Sequence, residues 1–244
     1  MSRLPEAQHA GRLAVATLGG LTFVASLVYF GMSYAGRYGL ELDPTASGSP
    51  VVPLMVDTAL FSAFALHHSI FARTGLKAAL TRVLPATLER SAYVWIASQL
   101  FLGVCAWWQP IAGVAWRLNG AWRMAAFAAQ LAAGLVTLVA ARQLGMLRLA
   151  GVRQTLATTR PAPSPTLDET GLYGLVRHPI YLAWLVLVWA APAMTGTRAA
   201  FAILSSAYLF LAVPFEERDL RRVFGKAYAD YSRRVRWRIV PFVY

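Results

Sequence analysis

The run from Gly171 to Tyr181, GLYGLVRHPIY, gathers more chemistry than any other stretch of the chain. Pro179 suits the first turn of a helix, where its missing N–H costs nothing. The residues ahead of it then deliver Arg177 and His178 to a helix N-terminus, an end that favours a carboxylate. Further along comes the acidic pair Glu216 and Glu217. If the apolar stretches between them fold as a hairpin, His178 and Glu216 return to the same depth. A positive end then faces an acidic end across one small volume. An amino-acid-like ligand with a carboxylate, an ammonium and a ribose suits such a place. Headgroup anchors and a helix cap would use the same residue types.

A second cluster is His67 and His68, near the end of an apolar run. Ionisable groups within membrane segments are costly, which makes them functional candidates. Adjacent side chains on a helix point about 100° apart, so the two imidazoles do not easily face one metal. One of them serves as a base or substrate contact, or both sit at headgroup level or hydrogen-bond a neighbouring helix. Asp57, Gln99 and Gln130 also fall in or near apolar runs and are assigned no role. The remaining histidines are His9 and His178, and Cys105 is the single cysteine. That excludes an intramolecular disulfide and a cysteine zinc site, and no HExxH pair exists, so no metal is expected.

These residues must be positioned by elements suited to lipid. Of 244 residues, 57% are hydrophobic and 14% charged, against about 25% charged in soluble domains. Six apolar segments stand out, at Leu13–Ala35, Val51–Phe71, Ala92–Ile111, Ala121–Ala141, Pro179–Met194 and Ala199–Phe215. The first four reach the ~20 residues a span requires. The last two read as a tight hairpin, with Pro192 and Pro214 bending or ending its arms. The start, MSRLPEAQHAGR, lacks a signal-peptide cleavage pattern, so the first segment is expected to stay as a membrane helix.

The net charge of +12 points to cytoplasmic loops rather than nucleic acid. With the N-terminus inside, the inner segments hold 19 of the 23 Lys and Arg and the outer ones four, Arg37, Arg117, Arg123 and Arg198. By the positive-inside rule both termini are cytoplasmic. Thr155–Glu169 reads as an irregular cytoplasmic loop. Within Glu216–Tyr231, the residues Leu220, Val223, Phe224, Ala227, Tyr228 and Tyr231 share one face of an amphipathic helix. It either lies on the membrane surface or folds back over a site as a lid. The expected fold is all-α: a polytopic membrane helical bundle of about six transmembrane helices, with a C-terminal helical hairpin and an amphipathic cytoplasmic helix. Residues 1–150 form a four-helix membrane region and 151–244 a ligand-binding region.

GLYGLVRHPIYLAW, EERDL and FGKAYADY at this spacing resemble the membrane methyltransferases typified by isoprenylcysteine carboxyl methyltransferase and the phospholipid N-methyltransferases. The likeness runs from about Gln154 to Pro241. It implies S-adenosylmethionine as cofactor. The family's contacts fall on Gln154, on the loop Pro165, Thr166, Leu167 and Asp168, on Tyr173, on His178, Pro179, Ile180 and Tyr181, and on Glu216. The isoprenylcysteine enzymes place an arginine four residues before that glutamate, and this chain has Ala212 there. A prenylated carboxylate substrate would then lack its paired cation.

The earlier half, through HSIFAR from His68, ERSAYV from Glu89, WWQPI from Trp107 and GVRQ from Gly151, looks like bacterial methanethiol S-methyltransferases. NnrU-type membrane proteins share part of this pattern. The resemblance implies a methyltransferase of the bacterial inner membrane that converts methanethiol to dimethyl sulfide. The alternatives are an isoprenylcysteine carboxyl or phospholipid methyltransferase, or a non-enzymatic NnrU-type accessory protein. The partners are then a small thiol or lipophilic substrate entering from the lipid bilayer. Methyl transfer is an in-line displacement governed by positioning, and a thiol must first lose its proton. His67, His68, Arg73 and Arg177 are the candidates to assist that step.

Overall fold

The computed structural model describes residues 6–42, 48–71, 88–146 and 167–244. In chain order the elements are α1 (Glu6–Ala35), a 3-10 turn at Arg37–Gly39, α2 (Val51–Phe71), α3 (Glu89–Trp107), β1 (Val114–Arg117), α4 (Gly120–Leu144), a 3-10 turn at Gly171–Gly174, α5 (Pro179–Trp189), β2 (Ala193–Thr195), α6 (Gly196–Phe224) and α7 (Lys226–Arg234). Each apolar segment named above contains or overlaps one helix.

Among the described residues, four helical stretches are long and apolar enough to cross a membrane: Gly11–Gly39, Val51–Ile70, Gly120–Leu144 and Gly196–Phe224. This is fewer than the six expected. The helix α3 begins with Glu89 and Arg90. The helix α5 has 11 residues, about 16 Å at 1.5 Å per residue, against a hydrocarbon core of about 30 Å.

The apolar run that begins at Pro179 stops being helical before Pro192, because the residue ahead of a proline is pushed out of the α region. The chain then enters β2, which pairs antiparallel with β1 in the register Val114–Thr195, Trp116–Met194 and Arg117–Ala193. This small sheet was not visible as a sequence pattern.

The chain divides into two compact units. The first draws on α1 up to Ser33, on α2 from Ala59, and on α3 with Trp108. Its core is aromatic, with ring centroids 5.6 Å apart for Phe30 and Phe101, 5.2 Å for Phe64 and Phe101, and 6.4 Å for Phe61 and Trp108. At Gly19 α1 runs against α3, where a Cβ would make an ordinary contact with the Ser91 carbonyl oxygen, 3.4 Å away.

The second unit takes the stretch from Tyr34 to Thr58, the sheet, and α4 to α7. Arg198, assigned to an outer loop by charge counting, is buried. Its guanidinium donates to the carbonyls of Tyr34 at 3.0 and 2.8 Å, of Ala35 at 3.1 Å and of Ala193 at 2.7 Å. A cation thus satisfies the open carbonyls at the end of α1. Thr195 caps α6 by accepting from the Arg198 amide at 3.2 Å, and its hydroxyl donates to the Tyr38 carbonyl. Asp57 accepts from the Gln109 amide at 2.7 Å, and Gln130 donates to the Leu187 carbonyl at 2.9 Å. Both polar side chains therefore have structural partners.

The stretch read as one amphipathic helix is two elements. The helix α6 runs on through Phe224, and α7 starts after Gly225, whose φ of 54° and ψ of −123° break the path. Tyr228 and Tyr231 are buried with Val235, against Leu167, Leu220 and Phe224. Val223 is 49% exposed, off the face expected for it.

Candidate active site

Four pieces of the second unit build the site: the turn Gly171–Gly174, the start of α5, the end of α6, and α7 with the residues after it. His178 is the N-cap of α5, with Pro179 in the first turn. Its imidazole makes no capping hydrogen bond. It stacks instead on the Tyr181 ring, centroids 5.2 Å apart and planes 4° from parallel. The Tyr181 hydroxyl donates to Glu216 Oε2 at 2.7 Å, and His178 Nδ1 lies 3.8 Å from the same oxygen. The expected meeting of His178, Tyr181 and Glu216 is present.

The two glutamates differ sharply. The Glu216 side chain is 43% exposed and that of Glu217 is 2% exposed. Successive residues point about 100° apart, and Glu217 follows Leu209 and Val213 on the inward face of α6, where all three are buried. Glu217 Oε1 accepts from Arg177 Nε at 2.7 Å, and Arg238 Nε lies 3.3 Å from its Oε2. Arg177 also donates to the carbonyls of Ser232 at 3.3 Å, Val235 at 2.9 Å and Arg236 at 3.1 Å. Its guanidinium ties the start of α5 to α6 and to the end of α7.

The backbone repeats that tie. The amides of Arg177 and His178 donate to the carbonyls of Trp237 at 2.9 Å and Arg238 at 2.8 Å. Arg238 and Trp237 carry no mark in the sequence, and Glu217 stands there only as the second half of the acidic pair. The available signal was the spacing of Leu209, Val213, Glu217, Leu220 and Phe224, which puts an acid on an otherwise apolar stripe.

Tyr173 is buried, and its carbonyl accepts from the Tyr231 hydroxyl at 2.7 Å. Burial pushes the Tyr231 phenol up to about 12, and burial, with Asp168 nearby, raises that of Tyr173. Asp168 accepts from the Thr170 amide at 3.0 Å and hydroxyl at 2.9 Å, an Asx turn that starts the Gly171 bend. Leu167 packs on the Tyr228–Tyr231 cluster, and Ile180 is half-buried. Arg73, Gln154, Pro165 and Thr166 lie outside the described residues.

His67 and His68 belong to the first unit. The Tyr93 hydroxyl lies 2.9 Å from His68 Nδ1, and the Tyr93 ring stacks on His67 at 5.6 Å and 14°. Among the described residues no group of three His, Cys, Asp or Glu side chains could hold a metal ion.

Two groups in this cluster keep hydrogen-bonding capacity to spare. Among the described residues, buried His178 Nε2 has no polar partner nearer than Glu217 Oε1, 3.5 Å away, a long contact. Such a group in a native fold calls for an explanation. Glu216 is an open carboxylate held in place by one phenol.

Apolar spans of this length, one of them ending in a polar cluster with an open acid, define an integral membrane protein. The chain is 33% identical over 227 residues to a methanethiol S-methyltransferase of Crocosphaera subtropica, covering 91% of this chain and 88% of that protein. It is 33% identical over 224 residues to a methanethiol S-methyltransferase of Mycobacterium tuberculosis, covering 89% and 92%. A weaker likeness, 26% over 184 residues, is to nurim of Sus scrofa, covering 71% and 70%. The chain belongs to the methanethiol S-methyltransferase family. No family model matches it, and no solved structure matches it.

Proposed function

We propose that this membrane protein transfers the methyl group of S-adenosylmethionine to methanethiol, giving dimethyl sulfide and S-adenosylhomocysteine. The observation that carries the reading is Glu216, an open carboxylate bonded to Tyr181 beside His178 at the start of α5. These residues fit the amino-acid end of such a donor, with Glu216 for the ammonium and the N-terminus of α5 for the carboxylate. The donor would supply a methyl group already activated on a sulfonium.

The chain's own part is positioning. Tyr181 orients Glu216, the ring stack orients His178, and the Arg177–Glu217 pair holds both helix ends at a fixed spacing. We assign Arg177 to this bracing role, because its Nε is engaged by Glu217 and its Nη1 by the Ser232, Val235 and Arg236 carbonyls. The thiol must give up its proton before it attacks. The thiolate sulfur then forms the new bond to carbon while the electron pair of the old carbon–sulfur bond leaves with the departing thioether. A base must take that proton.

The substrate is small because Ala212 offers no cation for a carboxylate on a prenylated thiol. We also propose six crossings with both termini in the cytoplasm of a bacterial inner membrane. The extended run from Ala190 to Thr195 would lengthen α5, and the 19-to-4 distribution of Lys and Arg supports that orientation.

The test compares methanethiol with a farnesylcysteine analogue at equal S-adenosylmethionine, following S-adenosylhomocysteine release. The proposal expects a higher kcat/KM for methanethiol. Faster turnover of the prenyl compound would contradict it.

A further inference from the structure

The segment that follows α7 ends in a closed turn. The Tyr244 main-chain oxygen accepts from the amides of Arg238, Ile239 and Val240 at 2.9, 2.9 and 3.1 Å, and the Tyr244 amide donates to the Val240 carbonyl at 2.9 Å. Phe242 sits at the tip with a φ of 65°, a left-handed conformation that a bulky residue adopts only under constraint. The turn buries Ile239 and turns Phe242 and Val243 outward, 85% and 77% exposed. Phe242 meets the Trp237 ring, centroids 5.5 Å apart, and the large apolar surface that it and Val243 leave exposed needs an occupant.

Ring contacts set the depth of that turn. The Tyr244 ring meets the Phe210 ring edge-on, centroids 5.4 Å apart. Phe210 lies six residues before Glu216, where the charged end of α6 begins, which is about 9 Å into the apolar part of the helix. The Tyr244 hydroxyl points back to the polar side and accepts from Arg238 at 2.8 Å. The ring therefore straddles the boundary, apolar body on one side and polar tip on the other, as tyrosines do at a bilayer interface. Leu211 and Phe215 are 69% and 45% exposed on the same stretch of α6. The turn docks on that apolar stretch through the Tyr244–Phe210 contact. At the end of α7, Arg233 and Arg234 are exposed.

We propose that the turn from Arg238 to Tyr244 is a membrane-inserted anchor, with Phe242 and Val243 among the acyl chains of the leaflet next to the polar site. The anchor is also a brace. The Trp237 and Arg238 carbonyls just ahead of it accept the Arg177 and His178 amides, so seating the turn in lipid holds the N-cap of α5.

The test uses the full chain in vesicles of phosphatidylcholine and phosphatidylglycerol. With Cys105 replaced by Ser, spin labels are placed at V243C, L211C or R233C. The label at V243C is expected to be relaxed by oxygen in preference to a water-soluble nickel chelate, as at L211C and opposite to R233C. A nickel-favoured label at V243C would overturn the anchor. So would spin–spin broadening there that disappears on dilution with unlabelled protein, since a second copy would then cover the turn. The brace is read by amide hydrogen exchange, without any donor or substrate. In F242S/V243S, peptides covering Arg177 and His178 should exchange several-fold faster, and unchanged exchange would overturn the coupling.

Discussion

The two adjacent glutamates have different duties. Glu216 is open and bonded to Tyr181, and Glu217 is sealed against Arg177. Glu216→Gln should leave folding intact and weaken S-adenosylmethionine binding, because one charge-assisted hydrogen bond of about 1.5–3 kcal/mol is lost, roughly 10- to 150-fold in affinity. Glu217→Gln should instead destabilise the protein by about 3–5 kcal/mol, since it leaves the buried Arg177 charge without its counter-ion. Thermal unfolding in detergent and calorimetric titration of the donor separate the two effects. Equal behaviour of the two variants in both assays would refute the division. The sequence made Arg177, His178, Tyr181 and Glu216 legible through one short motif and one acidic pair. It hid Arg238 and Trp237, because their bonds to Arg177 and His178 join residues some sixty positions apart and leave no local pattern.

The element that closes the site is α7, set by one backbone break. Gly225 holds φ 54° and ψ −123°, a region essentially limited to glycine, and a Cβ there would meet no atom within 4 Å. Gly225→Ala should therefore cost about 1–3 kcal/mol through backbone strain alone, read as faster hydrogen exchange in α7. Exchange unchanged from the parent would show that the break is not strained.

Docking of α7 should also be pH-sensitive at the alkaline end. Burial raises the Tyr231 phenol from 10.0 to about 12 and raises Tyr173 and Tyr228 as well. A raised folded pKa means that the stabilisation is complete below about pH 10 and is lost as pH climbs through 12. Thermal midpoints should fall over that window, with a shallower fall in Tyr231→Phe. A flat profile would contradict the buried phenols. The helices themselves were legible because long apolar runs leave few other options in lipid. The early stop of α5 was not, since an apolar run does not say whether it is coiled or extended, and Pro192 and the pairing with β1 decide it.

At the scale of the whole molecule, spans and orientation rest on composition. Reporter fusions after Ala35, Gln109 and Gly196 should read as periplasmic, and those after Pro163 and Tyr244 as cytoplasmic. A cytoplasmic reading at Gly196 would remove the last crossing. Family membership and the polar cluster together make methyl transfer the central claim. Its most direct test is one turnover experiment on the purified full chain in detergent. S-adenosylmethionine labelled in its methyl group is mixed with methanethiol, and labelled dimethyl sulfide in the headspace is compared with S-adenosylhomocysteine in solution. The account predicts equal amounts of the two products from the parent protein, and a large loss of both in Glu216→Gln at donor concentrations that saturate the parent. Donor that binds without forming labelled dimethyl sulfide, or a Glu216→Gln variant as active as the parent, would contradict it.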